Sequence, residues 1–317
     1  METPDVRTDE RIPGGTPGVT QPLAALVAPI LLRGEAIGVI VFHQADDALL
    51  TFDPAGRLMS AVGGERWRGA HGLTRIMDSG REYLWLVDQD SAEVVKTTLT
   101  GEVVQTLPRP DHPAYRGADA KRYAPTWAAQ DPATGEVWVA DGYGASLVHR
   151  YDRIGRYRAT IDGTEGAGRF NSPHGINFLL RGGQPELFIS DRANQRVVVY
   201  DGEGRFLRQG DAVHSPCGFD FHDGIAAVPE LFTGVKFLDA TTLGLLGETG
   251  VSAVVGLNPG GPWWPPRCPE GWPDLAGSEQ VRPGAFNSPH GAAFAPNGDV
   301  YVVEWIIGGR ITKLKRA

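Results

Sequence analysis

One hexapeptide occurs twice in this chain, and it constrains the fold more than any other feature. The letters Phe-Asn-Ser-Pro-His-Gly occupy residues 170–175 and recur unchanged at 286–291. Each copy is followed by a β-rich run, a polar turn and a second β-rich run. The runs lie at 186–191 and 196–200 after the first copy, and at 299–304 and 310–314 after the second. Because self-similarity of this kind marks repeat architectures, the chain is predicted to consist of copies of one small β unit.

Weaker copies of the same pattern extend the repeat over most of the chain. Residues 71–101 and 125–155 follow it, and residues 39–54 and 216–239 are degenerate versions. Together they make six units of roughly 40 residues, which is the period of a propeller blade. We therefore predict an all-β, six-bladed β-propeller with three or four antiparallel strands in each blade. Since the last unit ends at its third strand, the apolar stretch 23–32 is predicted to supply the missing edge strand and close the ring.

Composition and charge exclude several alternatives. Glycine (42) and proline (24) make up about a fifth of the 317 residues, where average usage gives roughly 12%, and this density excludes an all-helical protein. Thirty Lys and Arg residues against 38 Asp and Glu leave a net charge of −8. That sign is wrong for a surface that neutralises a phosphate backbone, so we expect no nucleic-acid partner. Cys217 and Cys268 are too few for a disulfide framework, although one bridge between them could form in an oxidising compartment.

The predicted domain organisation is simple. Residues 1–21 are expected to be a flexible leader, and residues 22–317 a single propeller domain with a Pro-, Gly- and Trp-rich insertion at 248–288. This insertion could form an aromatic lid over the pore, or a loop packed on the disc by its tryptophans. The leader lacks the pattern of a signal peptide, and the apolar stretch is shorter than the roughly 20 residues of a spanning helix. We therefore expect a cytoplasmic protein with no membrane partner.

Three histidines occupy the same position in alternate units. His71, His174 and His290 each precede a glycine at the start of a unit, while Thr126 and Cys217 hold that position in the intervening units. On a sixfold ring these histidines stand about 120° apart and face the axis. Three neutral imidazoles are the ligand set of a catalytic zinc site, so zinc is the predicted metal. The alternative interpretation is that each histidine is structural and hydrogen-bonded to the backbone.

A tyrosine and an arginine are predicted to lie on the same rim as the histidines. Tyr143 stands between two glycines directly after a β-rich run, and Arg192 follows the corresponding run of the next unit. Near a zinc ion and a guanidinium, a phenol could act as a general base while the arginine anchors a carboxylate. Both residues could instead be ordinary turn residues. His43, at a strand end, is a weaker candidate, and the remaining histidines are interpreted as surface or structural residues: His112, His149, His214 and His222.

These motifs resemble the NHL repeat, and together with the tyrosine and arginine they resemble the peptidyl-α-hydroxyglycine amidating lyase family. The resemblance to the NHL repeat covers about residues 35–317. The resemblance to the lyase family implies a six-bladed propeller whose pore zinc, held by three histidines, assists cleavage of peptidyl-α-hydroxyglycine into a peptide amide and glyoxylate. Carried over by motif, His71, His174 and His290 are the zinc ligands. Tyr143 is then the catalytic base and Arg192 its partner.

The chain also departs from the family pattern. The family has a second essential arginine in its first blade, where this chain has Gln44. It has an acidic residue associated with calcium after the third histidine, where this chain has Gly291. Calcium therefore remains only a second candidate metal. The family's usual enzymes are secretory and disulfide-bonded, unlike the protein expected here. These differences favour a different substrate even if the metal is kept.

Three functions remain open from the sequence. The leading hypothesis is a zinc-dependent lyase or hydrolase that acts at the pore on a small-molecule or peptide-like substrate. The second is a non-catalytic propeller that binds a protein or peptide partner. Imidazole nitrogens that converge within metal-bonding reach favour the first, and histidines each bonded to backbone favour the second. The third, a calcium-dependent lactonase, needs clustered Glu, Asn and Asp ligands, and the sequence offers no such cluster.

Overall fold

The structure is a computed structural model, and it describes most of the repeat region. The described residues are 24–32, 35–43, 49–52, 58–63, 66–67, 69–231, 234–250, 284–305 and 310–316; at 24–43, 52 and 58 only the backbone is described. Several sequence predictions fall outside these residues. They concern the leader 1–21, Gln44, Cys268 and residues 251–283 of the insertion.

The described strands form six antiparallel sheets, five of four strands and one of three. In each sheet the strands follow one another along the chain and pair with their sequence neighbours. This serial repetition of four-stranded meanders is the β-propeller pattern, so the prediction of an all-β propeller is confirmed. Apart from strands, the described residues contain two short 3-10 helices, Pro113–Tyr115 and Arg192–Asn194.

The chain divides into two compact units, and three sheets belong to each. The first unit comprises residues 1–68 and 219–317, and the second comprises residues 69–218. The second unit contains strands β5 to β16. Their bounds are β5 Ala70–Asp78, β6 Arg81–Asp88, β7 Glu93–Thr97, β8 Val103–Leu107, β9 Trp127–Gln130, β10 Val137–Asp141, β11 Leu147–Tyr151, β12 Tyr157–Ile161, β13 Pro173–Arg181, β14 Gln184–Asp191, β15 Arg196–Asp201 and β16 Phe206–Gly210.

The first unit contains the remaining strands. Their bounds are β1 Ala24–Leu32, β2 Glu35–His43, β3 Leu49–Phe52, β4 Leu58–Val62, β17 Asp220–His222, β18 Ile225–Pro229, β19 Val235–Asp239, β20 Leu245–Thr249, β21 Pro289–Phe294, β22 Val300–Glu304 and β23 Arg310–Leu314. The last sheet, β21 to β23, has three strands among the described residues.

The predicted pairing of the N-terminal strand is wrong. Strand β1 pairs with β2 along its whole length, from Ala24 opposite His43 to Leu32 opposite Glu35, and so belongs to the first sheet rather than completing the last one. Only two residues separate the two apolar runs. Closing such a short connection costs little chain entropy, so the local hairpin forms in preference to a pairing with the distant end of the chain.

Burial explains why the strands of one sheet differ in sequence. In the second unit the second strands are buried over most of their length, and they read as continuous apolar runs such as Leu84–Val87 within β6. The fourth strands alternate between partly buried and exposed residues, as in β8 and β16, because one of their faces meets solvent. The apolar side chains of β6, β7, β10 and β11 contribute to a shared core.

Aspartate and glycine close the hairpins between the third and fourth strands. The carboxylate of Asp152 accepts the backbone N–H groups of Ile154 and Arg156, and Asp201 binds its own turn in the same way. Gly155 (φ 87°) and Gly204 (φ 81°) take the left-handed conformation that these turns require. These two glycines thus have a structural role at the turns.

No helix in the described part of the chain is long and apolar enough to cross a membrane.

Candidate metal and catalytic site

The site in the second unit lies where first strands begin and second strands end. His71 is the second residue of β5 and His174 the second residue of β13. In the antiparallel register Ala70 lies opposite Asp88, and Pro173 lies opposite Asp191. The end of each second strand therefore lies beside the histidine of the same sheet, as the sequence predicts.

Each of these two histidines is fixed by a backbone carbonyl at the equivalent position of the next repeat. His71 Nδ1 lies 2.8 Å from the carbonyl oxygen of Thr126, and His174 Nδ1 lies 2.8 Å from that of Cys217. A carbonyl oxygen only accepts hydrogen bonds, so Nδ1 carries the proton and Nε2 presents its lone pair. Metal-binding histidines are oriented in this way, so these backbone bonds alone do not favour the structural interpretation over the metal site.

The glycine after each histidine is explained by the same carbonyl. A Cβ atom on Gly72 would lie 2.4 Å from the Thr126 oxygen, and one on Gly175 would lie 2.1 Å from the Cys217 oxygen. No side chain fits at either position. The recurrent His-Gly pair therefore lets neighbouring repeats approach closely enough for the carbonyl to reach the imidazole.

Tyr143 joins the two histidines. Its hydroxyl oxygen lies 3.2 Å from His71 Nε2 and 3.0 Å from His174 Nε2. The two imidazole rings are themselves close, with centroids 4.8 Å apart. Both histidines are buried, whereas Tyr143 is 40% exposed. The Tyr143 side chain therefore contacts the buried histidines and is also accessible to solvent.

The predicted arginine also belongs to this cluster. One terminal nitrogen of Arg192 donates to the Tyr143 hydroxyl at 3.4 Å, and the other donates to Ser172 Oγ at 3.4 Å. The guanidinium carbon lies 5.3 Å from the centre of the Tyr143 ring, a cation–π distance. Burial opposes the charged form of Arg192, but Tyr143 and Cys217 outweigh burial and raise its pKa. Arg192 is therefore a permanent cation beside the phenol.

The donor set of this cluster fits a metal ion. One hydroxyl proton can be donated to only one of the two Nε2 atoms at a time, whereas a cation accepts both lone pairs at once. Nitrogen donors of neutral imidazoles suit zinc, whereas calcium prefers oxygen ligands. His71, His174 and His290 are all buried, and three such histidines could hold a metal ion.

His290 lies in the first unit and has the same local structure. It is the second residue of β21, it is 6% exposed, and Pro289 lies opposite Glu304 at the end of the second strand. The strand pairing shifts register at each of the three histidines, between Ala70 and Gly72, between Pro173 and Ile176 and between Pro289 and Gly291. The repeated sequence motif therefore corresponds to a repeated backbone conformation.

The sequence places acidic residues on the same rim as the histidines, but their role in holding the histidine-bearing segments was not predicted. Asp88 accepts the N–H of Gly69 at 2.7 Å, Asp191 that of Asn171 at 2.8 Å, and Glu304 that of Asn287 at 2.6 Å. Each carboxylate stands at the end of a second strand and ties the segment before the first strand to it. The signal was present, since an acidic residue ends the first β-rich run of every clear repeat.

The other histidines have different surroundings. His149 is fully buried in β11, and His112 caps the short helix Pro113–Tyr115 by accepting the N–H of Ala114. His214 is exposed, and His222 Nε2 lies 3.3 Å from an Asp223 carboxylate oxygen. Only the backbone of His43 is described, at the end of β2. Cys217 is buried, with its Sγ 3.6 Å from the carbonyl oxygen of Ser215.

Fold and site together define the class: a β-propeller that carries a cluster of buried histidines with a tyrosine and an arginine. Solved structures share the fold. A streptogramin B lyase structure aligns with 94% of this chain and 95% of its own (TM-score 0.56, 12% identity), and a chain from a nidogen/laminin complex aligns with 93% and 94% (TM-score 0.53, 13% identity). At such identities the likeness shows the fold alone.

Among curated proteins, the chain is similar to peptidyl-glycine α-amidating monooxygenases. It is 30% identical over 173 residues to the A form of Xenopus laevis and 27% identical over 175 residues to the protein of Mus musculus. The match covers 52% of this chain but only 18% and 17% of those relatives. No protein-family model matches the chain. These relatives confirm the predicted resemblance to the amidating enzymes.

Proposed function

We propose that this protein is a metal-dependent lyase that cleaves the C–N bond of an α-hydroxylated amide. One observation carries the proposal: the Nε2 atoms of His71 and His174 both face the Tyr143 hydroxyl, at 3.2 and 3.0 Å, while each Nδ1 is engaged by a backbone carbonyl. Two imidazole lone pairs are thus oriented toward the hydroxyl of Tyr143, the potential base.

The proposed metal ligands are the Nε2 atoms of His71, His174 and His290, with zinc as the metal. His290 is included because its strand position, register shift and burial repeat those of the other two histidines. Three histidines leave a coordination position for substrate or water. When bound, zinc supplies a Lewis acid that polarises a substrate oxygen.

The proposed roles of the protein residues follow from their positions. Tyr143 takes the proton of the substrate hydroxyl on the carbon that carries the amide nitrogen. As that oxygen becomes a carbonyl, the C–N bond breaks and its electron pair stays on nitrogen, which gains the proton that Tyr143 took from the hydroxyl. The products are a primary amide and an aldehyde, with no net oxidation. Arg192, a cation next to Tyr143, binds a carboxylate on the substrate.

The proposed substrate class is an acylated or peptidyl α-hydroxyglycine, which yields glyoxylate. Similarity to proteins named α-amidating monooxygenases supports this class, as does the Arg192 cation for the glycine carboxylate. Gln44 and Gly291 replace two charged residues of the family pattern. We therefore propose that the acyl portion of the substrate differs from that of the relatives.

A non-catalytic binding propeller remains the alternative, and metal content separates the two. Protein purified without a polyhistidine tag should contain one zinc ion per chain by plasma mass spectrometry. The variant His174→Ala should lose the metal, because it removes one of the three proposed ligands. His214→Ala is the matched control, since His214 is exposed and should keep full occupancy. Metal-free wild-type protein, or equal metal in both variants, would reject the proposed site.

A further inference from the structure

A chain of hydrogen bonds, buried from His149 to Asp141, ends at the segment that carries Tyr143. Tyr157 and His149 both contact Thr160 Oγ1 at 2.7 Å, the latter through Nδ1, and His149 Nε2 lies 2.7 Å from the Tyr115 hydroxyl. The Tyr115 hydroxyl in turn donates to Asp141 Oδ2 at 2.7 Å. We call these five residues the Asp141 network.

The proton positions in the Asp141 network follow from one constraint. Tyr115 has one hydroxyl proton and gives it to Asp141, so its oxygen must accept from the His149 Nε2–H group. His149 Nδ1 then accepts from Thr160, and Thr160 accepts from Tyr157. Every hydroxyl and imidazole donates once toward the carboxylate. In such aligned chains each hydrogen bond polarises the next.

Asp141 holds both sides of the Tyr143 turn. Its Oδ1 accepts the N–H of Ala124 at 2.7 Å, and its Oδ2 accepts the N–H of Ala145 at 2.6 Å. The carbonyl oxygen of Ala124 accepts the N–H of Tyr143 itself, at 3.3 Å. The backbone of Tyr143 is therefore tied to Asp141 through Ala124 on one side and Ala145 on the other.

The glycines around Tyr143 make this attachment tight. A Cβ atom on Gly144 would lie 2.2 Å from Asp141 Oδ1, and one on Gly142 would lie 2.4 Å from the carbonyl oxygen of Pro173. The turn is thus packed between the Asp141 carboxylate and the segment that bears His174. Because there is little free space around the turn, a shift of the Asp141 carboxylate should also move Tyr143.

Comparison with the other sheets shows what is particular here. Asp191, at the equivalent position, binds the side chains of Asn194 and Arg196 from its own sheet. Asp141 instead accepts the phenol of Tyr115, which comes from the long segment between β8 and β9. In the sheet that carries the proposed base, a donor from outside the repeat thus takes the place of a side-chain donor from the same repeat.

We propose that Tyr115 and His149 are positioning residues for Tyr143, acting through Asp141 to fix its hydroxyl against the two histidines. This inference rests on the proposed function of Tyr143 as the base. It assigns a role in the reaction to the segment between β8 and β9, which the repeat pattern leaves unexplained.

A double-mutant cycle tests the proposal with a kinetic readout. Tyr115→Phe removes only the hydroxyl, and with zinc-loaded protein and an N-acyl-α-hydroxyglycine it should lower kcat about tenfold while KM changes less than twofold. In the Tyr143→Phe background the same change should have no further effect, because Tyr115 acts through Tyr143. Additive losses, or an unchanged kcat, would overturn the proposal.

The matched control is Tyr151→Phe. Tyr151 is also buried in this sheet, and its hydroxyl donates to the carbonyl of Pro108 in the same segment at 2.9 Å without being part of the Asp141 network. This variant loses a partly buried hydrogen bond to the same segment and should keep its kcat.

A second readout does not depend on turnover, so it distinguishes failure of the proposed function from failure of the positioning network. Amide hydrogen exchange in residues 141–147 should quicken in Tyr115→Phe and not in Tyr151→Phe, whether or not the wild type is active. An inactive wild type with this exchange pattern rejects the lyase and keeps the positioning network. An active wild type with equal exchange in both variants rejects the network alone.

Discussion

Acid should destabilise this fold through His149, and the size of the effect follows from its burial. The side chain is fully buried, and burial, helped by the nearby His112, lowers its pKa from 6.5 to about 3. The folded pKa is lowered, so the unfolded chain binds the proton more tightly. The contribution of neutral His149 to the unfolding free energy is complete above pH 6.5 and is lost as the pH falls toward 3.

The magnitude can be worked out from these two values. Each pH unit between them costs about 1.4 kcal/mol of unfolding free energy, so lowering the pH from 7 to 5 should remove about 2 kcal/mol through this residue. His149→Gln keeps a polar side chain but does not titrate. The difference in unfolding free energy between wild type and His149→Gln should therefore shrink by about 2 kcal/mol between pH 7 and pH 5.

Urea denaturation at pH 7, 6 and 5 provides the measurement, with a chelator in every sample so that metal release does not contribute. His214→Gln is the control, because it makes the same replacement at an exposed histidine. Parallel curves for wild type and His149→Gln would refute the reasoning, since His149 would then titrate alike in the folded and unfolded states.

Three further predictions concern the site. Gly175→Ala places a Cβ 2.1 Å from the Cys217 carbonyl oxygen and should cost about 2 kcal/mol or more of stability in thermal denaturation. Gly247→Ala, where a Cβ meets nothing within 4 Å, should be nearly neutral, and equal losses would contradict the close-approach argument. Arg192→Gln should raise KM at least about tenfold for a substrate with a carboxylate, and much less for the matching amide, in steady-state assays; an equal effect on both would exclude carboxylate binding. Tyr143→Phe should leave metal content unchanged in plasma mass spectrometry; loss of the metal would make the phenol part of the metal site.

The architecture could be predicted because the repeat is visible in the identities of the side chains. The identical segments 170–175 and 286–291 locate the starts of β13 and β21, and the β-rich runs after them become the second and third strands. The N-terminal strand was predicted in the wrong sheet, because the missing fourth strand of the last unit suggests a distant pairing, whereas the two-residue spacing between β1 and β2 favours the local hairpin.

The site could be predicted only where it depends on side-chain identity. His71, His174, Tyr143 and Arg192 carry recognisable motifs, and the second unit brings all four together. The Thr126 and Cys217 carbonyls that orient the imidazoles were missed. Every residue has a backbone carbonyl, so the sequence at Thr126 or Cys217 does not identify this role. The only sequence signal is the glycine that the close approach requires after each histidine.

The Asp141 network was missed for a different reason. Tyr115 lies in a segment outside the repeat, and its distance along the chain from Asp141 gives no indication of contact. His149 was interpreted only as a surface or structural residue, because it stands in a third strand far from any motif. Its burial and its partners follow from tertiary packing, which a single sequence does not reveal.

The central claim is that this propeller uses a metal ion and Tyr143 to break the C–N bond of an α-hydroxylated amide. The most direct measurement is the initial rate of glyoxylate release from an N-acyl-α-hydroxyglycine by zinc-loaded protein. Wild-type protein should release glyoxylate well above the uncatalysed background, and Tyr143→Phe should be slower by at least about 100-fold. Wild-type protein that holds zinc but releases glyoxylate no faster than buffer would contradict the account.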